Sequence, residues 1–67
     1  MDKLTDKQLL QRLIDDNGWT QTELAERLGI GQPAISMAIN EKSFLRGSTR
    51  KLAELLLKQT EELQRQA

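Results

Sequence analysis

The 67-residue sequence contains no cysteine and no histidine. Without cysteine it has no disulfide, thiolate zinc site or thiol nucleophile, and without histidine it lacks the usual general base and the commonest metal ligand. No apolar run exceeds three residues, as at Leu55 to Leu57, so the sequence predicts neither a membrane span nor a signal peptide. These absences favour a soluble intracellular domain that is not an enzyme and that uses no metal, cofactor or small-molecule substrate.

The charges are balanced overall but unevenly distributed. Ten basic and ten acidic side chains give a net charge of zero. Residues 1–30 carry four basic and six acidic side chains, a net charge of −2, whereas residues 31–58 carry five and two, a net charge of +3. Across the boundary between these blocks, the segment from Leu28 to Asn40 carries no charge at all. In a chain this rich in charge, such a segment is either buried core or an uncharged contact face.

Two capping boxes predict the starts of the first two helices. Thr5 and Gln8 form the first box, and Thr20 and Glu23 form the second. Glycines in the left-handed conformation are expected to end these helices, which gives a first helix over about residues 6–16 and a second that ends at Gly29. The inward-facing residues predicted from the helical period are Leu9, Leu10, Leu13 and Ile14 in the first helix, and Leu24, Ala25 and Leu28 in the second.

A third helix begins after Gly31 and presents two different faces. Ile35, Ala38 and Ile39 fall on one side at helical spacing and are predicted to face inward. The opposite side carries Pro33, Ser36, Met37 and Asn40, with Gln32 at its tip. Because these residues point away from the apolar stripe and yet carry no charge, we interpret this side as a contact face rather than a solvated surface.

The C-terminal part is predicted to be a loop of about eight residues followed by a fourth helix over about residues 49–64. We expect Phe44 and Leu45 to close the bottom of the core, and Leu52, Leu55 and Leu56 to pack inward from the fourth helix. Leu57 and Leu63 then remain as exposed residues for dimerisation. The predicted fold is all-α, with four or five short helices in a single domain over residues 1–67.

The segment from Gln21 to Asn40, QTELAERLGIGQPAISMAIN, closely resembles the helix-turn-helix of the phage repressor and Cro family of DNA-binding proteins. The resemblance rests on Gln21 at the start of the first helix, Ala25 at the helix contact, Gly29 in the turn, and Ile30 and Ile35 after it. It implies a lambda-repressor-like DNA-binding domain. Some members follow this motif with strands, whereas residues 48–66 here have a helical pattern, so a strand-paired dimer cannot be carried over.

In that family the second helix of the motif enters the major groove, where base edges can be read. The resemblance therefore implies double-stranded DNA as the partner, with base reading by Gln32, Pro33, Ser36 and Met37. The phosphate-contacting residues that it implies are Gln21, Thr22, Asn40, Lys42 and Arg46, with Arg50 and Lys51 as weaker candidates. Met37 stands where relatives often carry Lys or Arg, so the commonest contact to guanine is missing.

Three functions remain open at this point. The first is a phage- or prophage-type repressor that binds a palindromic operator as a homodimer in the bacterial cytoplasm or nucleoid. The second is a DNA-binding antitoxin whose tail after Lys58 binds another protein, and the third is a protein-interaction domain that no longer binds DNA. An enzyme is the remotest reading, since Asp15 and Asp16 are adjacent and point about 100° apart on a helix instead of converging.

Overall fold

The computed structural model describes residues 4–66, which form four α-helices and no strand. These are α1 (Asp6–Asn17), α2 (Gln21–Leu28), α3 (Gln32–Ile39) and α4 (Gly47–Gln66). The all-α prediction is confirmed, with four helices rather than five in the described range, and α4 extends two residues beyond its predicted limits at each end. Within those residues, no helix combines the length and the apolar character that a membrane crossing requires.

The ends of α1 and α2 are fixed by the predicted caps. The Thr5 hydroxyl accepts from the Gln8 amide N–H at 3.1 Å, and the Gln8 side chain accepts from the Thr5 N–H at 3.0 Å. Thr20 and Glu23 repeat this exchange at 3.1 and 3.4 Å. Gly18 and Gly29 end the two helices with φ of 67° and 71°. These local bonds satisfy backbone groups that a helix end leaves free, so both helices have defined limits.

All four helices contribute to one apolar core. Its ten buried hydrophobic residues are Leu9, Leu10 and Leu13 from α1, Leu24, Ala25 and Leu28 from α2, Ile35 and Ala38 from α3, and Ala53 and Leu57 from α4. Trp19, directly before the N-cap residue of α2, is half-buried against this core. The inward faces predicted for α1, α2 and α3 are therefore confirmed, except that Ile14 and Ile39 lie at the edge of the core and are only half-buried.

The packing face of α4 differs from the prediction. Ala53, Leu57 and Thr60 are buried, whereas Leu52 and Leu55, which were predicted to face inward, are 39% and 52% exposed. Ala53 is small enough to let α4 approach α1 closely, and the Thr60 hydroxyl accepts from the Asn17 side chain at 3.0 Å. Leu57 is only 7% exposed. The prediction that Leu57 is an exposed dimerisation residue is therefore wrong.

The loop before α4 also differs from the prediction. Phe44 is 92% exposed, so it does not close the core, whereas Leu45 is half-buried against it. The cause is a tertiary bond: the Asp6 carboxylate accepts from the Leu45 N–H at 2.8 Å. That bond holds the Leu45 backbone against the start of α1, so that Leu45 packs on the core while the Phe44 side chain stays in solvent.

Arg50 belongs to the same tertiary cluster, so its charge is already paired within the chain. Its guanidinium pairs with Asp6 and with Glu54, and it also donates to the Leu4 carbonyl oxygen. A basic side chain in the first turn of a helix is disfavoured by the helix dipole unless a negative charge lies near it. The carboxylates of Asp6 and Glu54 already supply that negative charge within the chain.

Candidate nucleic-acid interface

The turn between α2 and α3 sets the angle at which α3 leaves the domain. Gly29 has φ of 71°, and its N–H donates to the carbonyls of Ala25 and Glu26, while the Ile30 N–H donates to Ala25 O at 3.0 Å. A Cβ atom at Gly29 would meet no other atom within 4 Å. Glycine is therefore required here by the left-handed backbone and not by lack of space. With Ala25 buried at the helix contact, the two helices form a compact helix-turn-helix.

The outer face of α3 is exposed and uncharged, as the contact-face interpretation requires. Gln32 and Pro33 are exposed, Met37 is 46% exposed, and Ser36 is half-buried. Ala34 also lies on the surface of this helix, a position that the sequence reading missed because alanine is compatible with either environment. Ile35 and Ala38 hold the helix to the core from behind. The face thus offers one amide, one hydroxyl and several apolar groups on a fixed helix.

Gln32 is held in place by Gln21. The Gln32 side-chain N–H donates to the Gln21 side-chain oxygen at 2.8 Å, a bond that joins the first residue of α2 to the first residue of α3. An amide has two N–H donors and one oxygen acceptor, so Gln32 retains one N–H and its oxygen for another partner. The bond therefore restricts the Gln32 rotamer without using up its capacity for two-point recognition.

The C-terminal end of α3 is closed by Asn40. Its side-chain N–H donates to the Ser36 carbonyl at 2.9 Å and lies 3.4 Å from the Ser36 hydroxyl. Glu41 follows with φ of 62°, and the Lys42 N–H donates to the Met37 carbonyl at 2.8 Å. Asn40 thus serves first as a cap, and only its second side-chain N–H could donate to a phosphate, since the amide oxygen can only accept. The acidic Glu41, directly before Lys42, is a feature that the sequence reading passed over.

The basic side chains divide into those paired within the chain and those that are not. Arg12 forms ion pairs with Asp16 and Glu61, Arg50 is paired as described above, and the Arg27 guanidinium stacks 4.3 Å from the centre of the Trp19 ring. Lys42 and Arg46 are exposed in the loop after α3, and neither makes an ion pair with any residue in the range 4–66. Both are therefore available to an anionic partner beside the α3 face.

Comparison with known families gives this arrangement a class. The model of the helix-turn-helix family matches residues 10–64, a range that includes α2, α3 and most of the two flanking helices. The chain belongs to this family of helix-turn-helix DNA-binding proteins, of the Cro type. No curated protein and no solved structure matches the chain significantly.

Proposed function

We propose that this DNA-binding protein is a phage- or prophage-type transcriptional repressor that binds a palindromic operator as a homodimer in the bacterial cytoplasm. The observation that supports this best is the bond between Gln21 and Gln32 at 2.8 Å. A side chain that is already oriented loses less conformational entropy when it binds, so more of its hydrogen-bond energy contributes to recognition. A structural role alone does not require an exposed glutamine pair at this place.

Base reading follows from the groups left on the α3 face. The Gln32 oxygen and its remaining N–H match the N6 and N7 atoms of adenine, a pairing worth about 1–3 kcal/mol of discrimination. Ser36 can donate or accept, and Pro33 and Ala34 offer apolar contacts to a thymine methyl group. Met37 offers no charged donor, so we expect guanine at that position to be read weakly. The operator half-site should therefore be specified mainly by A·T pairs.

Phosphate contacts lie on both sides of this reading face. Gln21 and Thr22 occupy the first turn of α2, where free backbone N–H groups and the helix dipole favour an anion. Asn40, Lys42 and Arg46 lie at and beyond the far end of α3. About five contacts in one copy would give weak and poorly specific binding, which is why the proposal includes two copies on two half-sites.

Selection of binding sites from random duplex DNA tests this proposal directly. We expect an enriched palindrome whose half-site centres are about one helical turn, or 34 Å, apart. Affinity for the selected duplex should fall steeply with salt, because each neutralised phosphate releases counterions. Enrichment of no sequence, together with no binding to any duplex at low salt, would contradict the proposal and favour a protein-interaction domain.

Replacing Met37 with arginine tests the orientation of α3. Met37→Arg should tighten operator binding and shift the preferred base at one position of each half-site toward guanine, since arginine binds guanine at two points. The control is Gln11→Arg, which adds the same charge at an exposed position on α1. Both variants are compared with the parent chain by fluorescence anisotropy and by repeated selection. A gain in affinity without any change in base preference would place Met37 outside the groove.

A further inference from the structure

Helix α4 carries an exposed apolar strip that no residue in the range 4–66 covers. The strip consists of Leu52, Leu55, Gln59 and Leu63, and its three leucines are 39%, 52% and 68% exposed. At about 100° per residue, these four positions fall within a sector of about 80° on one side of the helix. The sector is centred about 125° away from the side on which Ala53, Leu57 and Thr60 are buried. It therefore forms a surface distinct from the one that packs on α1.

The last part of α4 also continues past the core. Among the residues up to Arg65, Thr60 is the last buried one, yet the helix runs on to Gln66. The described polar contacts of this segment with α1 are the ion pair between Arg12 and Glu61 at 3.3 Å and a long bond from Gln64 to the Asp16 carbonyl at 3.5 Å. Leu63 lies within it, and a short helical segment without apolar packing is only marginally stable by itself.

We propose that the α4 strip binds a second copy of the same chain with the two α4 helices antiparallel, an inference that rests on the dimeric repressor proposed above. The pairing sets Leu52 of each copy opposite Leu63 of the other, and Leu55 beside Gln59. Because the arrangement has two-fold symmetry, every contact occurs twice. The dyad passes close to the middle of the strip, near residues 57 and 58.

Charge complementarity selects a second copy in this direction. Lys51, Lys58 and Glu62 flank the strip on the same side, Lys51 and Glu62 each directly before a strip leucine, and none of the three forms an ion pair with any described residue. In antiparallel helices the same flanks face each other, so Lys51 meets Glu62 of the second copy in both halves of the dimer, and the two Lys58 side chains lie near each other at the dyad. In parallel helices this flank would instead meet the side of Thr49, Leu56 and Thr60, which carries no charge.

The distance between the two motifs also fits. Gly47, the first residue of α4, is about ten residues from the dyad, which is about 16 Å at 1.5 Å per residue. The two starts of α4, and with them the loops that lead out of α3, are then about 32 Å apart. This is close to the 34 Å that separates half-sites one helical turn apart on the same face of DNA. A parallel pair would instead place the two starts side by side.

The size of the contact predicts a weak dimer. The overlap of about twelve residues is about 18 Å long and buries on the order of 400 Å² in each copy, less than the 1,200–2,000 Å² in total that stable complexes bury. We therefore expect association at protein concentrations on the order of 100 µM. Two half-sites on one duplex would bring two copies together at much lower concentration.

A charge exchange tests both the partner and the direction. Sedimentation equilibrium of the full chain without DNA, up to about 1 mM, gives the dimer dissociation constant. Lys51→Glu and Glu62→Lys should each weaken the dimer at least about tenfold, because each turns two attractive pairs into two repulsive ones. The double variant should return within about threefold of the parent. Lys7→Glu, the same charge change on exposed α1, should have no effect, and circular dichroism checks that every variant is folded.

Leu63→Ala separates this inference from the proposed function. It should weaken the dimer at least about tenfold, since two exposed leucines lose their partners, while affinity for a duplex with one half-site stays unchanged. A chain that stays monomeric at 1 mM, or a dimer unaffected by the charge exchange, overturns the antiparallel pairing and leaves the strip to another protein. Failure of the proposed function would appear independently, as absence of half-site binding by the parent chain.

Discussion

The tertiary cluster around Asp6 should contribute much of the stability of this small domain. One carboxylate oxygen of Asp6 accepts from the Leu45 N–H at 2.8 Å, and the other pairs with the Arg50 guanidinium. The Asp6 and Arg50 side chains are only 12% and 23% exposed. The cluster ties the start of α1 to the start of α4 and to the loop that carries Lys42 and Arg46. We predict that Asp6→Ala destabilises the fold strongly.

The size of the expected loss in stability follows from the groups that Asp6→Ala leaves without a partner. Removal of one partner of a buried ion pair costs about 3–5 kcal/mol, and a buried N–H without an acceptor costs about 1–3 kcal/mol. Arg50 keeps Glu54 at 3.3 Å and the Leu4 carbonyl, and its partial exposure lets water reach the vacated site. We therefore expect Asp6→Ala to lower the free energy of unfolding by about 2–3 kcal/mol. A chain of this length has about 3–10 kcal/mol in total.

Urea unfolding followed by circular dichroism measures this change, with two comparison variants. Glu61→Ala removes the other ion pair between α1 and α4, whose side chains are 49% and 44% exposed, and should cost at most about 1 kcal/mol. Asp6→Asn keeps an oxygen for the Leu45 N–H but loses the charge, so its cost should be intermediate. If Asp6→Ala costs no more than Glu61→Ala, the cluster does not hold the loop and the reasoning from burial is refuted.

Three further changes test the backbone and the loop by the same unfolding assay. Gly29→Ala should cost about 1–2 kcal/mol, because its φ of 71° disfavours any side chain even in open space, whereas Gly47→Ala in α4 should be neutral or stabilising. Glu41→Gly should stabilise by up to about 1 kcal/mol, since Glu41 has φ of 62°, and should tighten DNA binding by removing an acid beside the phosphate contacts. Phe44→Ala should cost less than about 0.5 kcal/mol, in contrast to about 2–5 kcal/mol for Leu10→Ala in the core.

The features that could be predicted from the sequence are those decided by neighbours along the chain. The capping boxes at Thr5 and Thr20 involve residues three apart, and the left-handed stops at Gly18 and Gly29 depend on the absence of a Cβ atom. The exposed, uncharged side of α3 could likewise be predicted, because a run without charge coincided with a clear helical period. Local structure and the class of protein therefore follow from short-range patterns.

The register of α4 could not be predicted in this way. Leucines occupy positions on both sides of the helix, so their spacing alone does not distinguish the packed side from the exposed one. The decision rests on a small residue and a polar one: Ala53 allows close approach to α1, and Thr60 bonds to Asn17 at 3.0 Å. A prediction that is based on large apolar residues alone does not take these two residues into account. The exposure of Leu55 and the burial of Leu57 follow from the way in which α4 packs on α1 through Ala53 and Thr60.

The predictions for the loop residues were wrong for a related reason, because the partners of these residues are distant in sequence. Phe44 and Leu45 are equally apolar, and only the bond between Asp6 and the Leu45 N–H determines which of them turns inward. Arg50 looked like a candidate for phosphate contact because Asp6 lies 44 residues earlier in the chain. The contact of Gln21 with Gln32 is different, since it follows from the helix-turn-helix itself once the angle between α2 and α3 is set.

The balanced charge of the chain affects how it would bind DNA. A net charge of zero gives no long-range attraction toward DNA, and taken alone it would count against a nucleic-acid partner. The structure pairs Arg12 and Arg50 with acids on the side of the domain where α1 and α4 meet, so those acids are already compensated. Lys42 and Arg46 stay unpaired by described residues next to the α3 face. Affinity should therefore depend on short-range contacts and on two copies acting together, and mutations at the α4 strip should weaken operator binding as much as mutations at the phosphate contacts do.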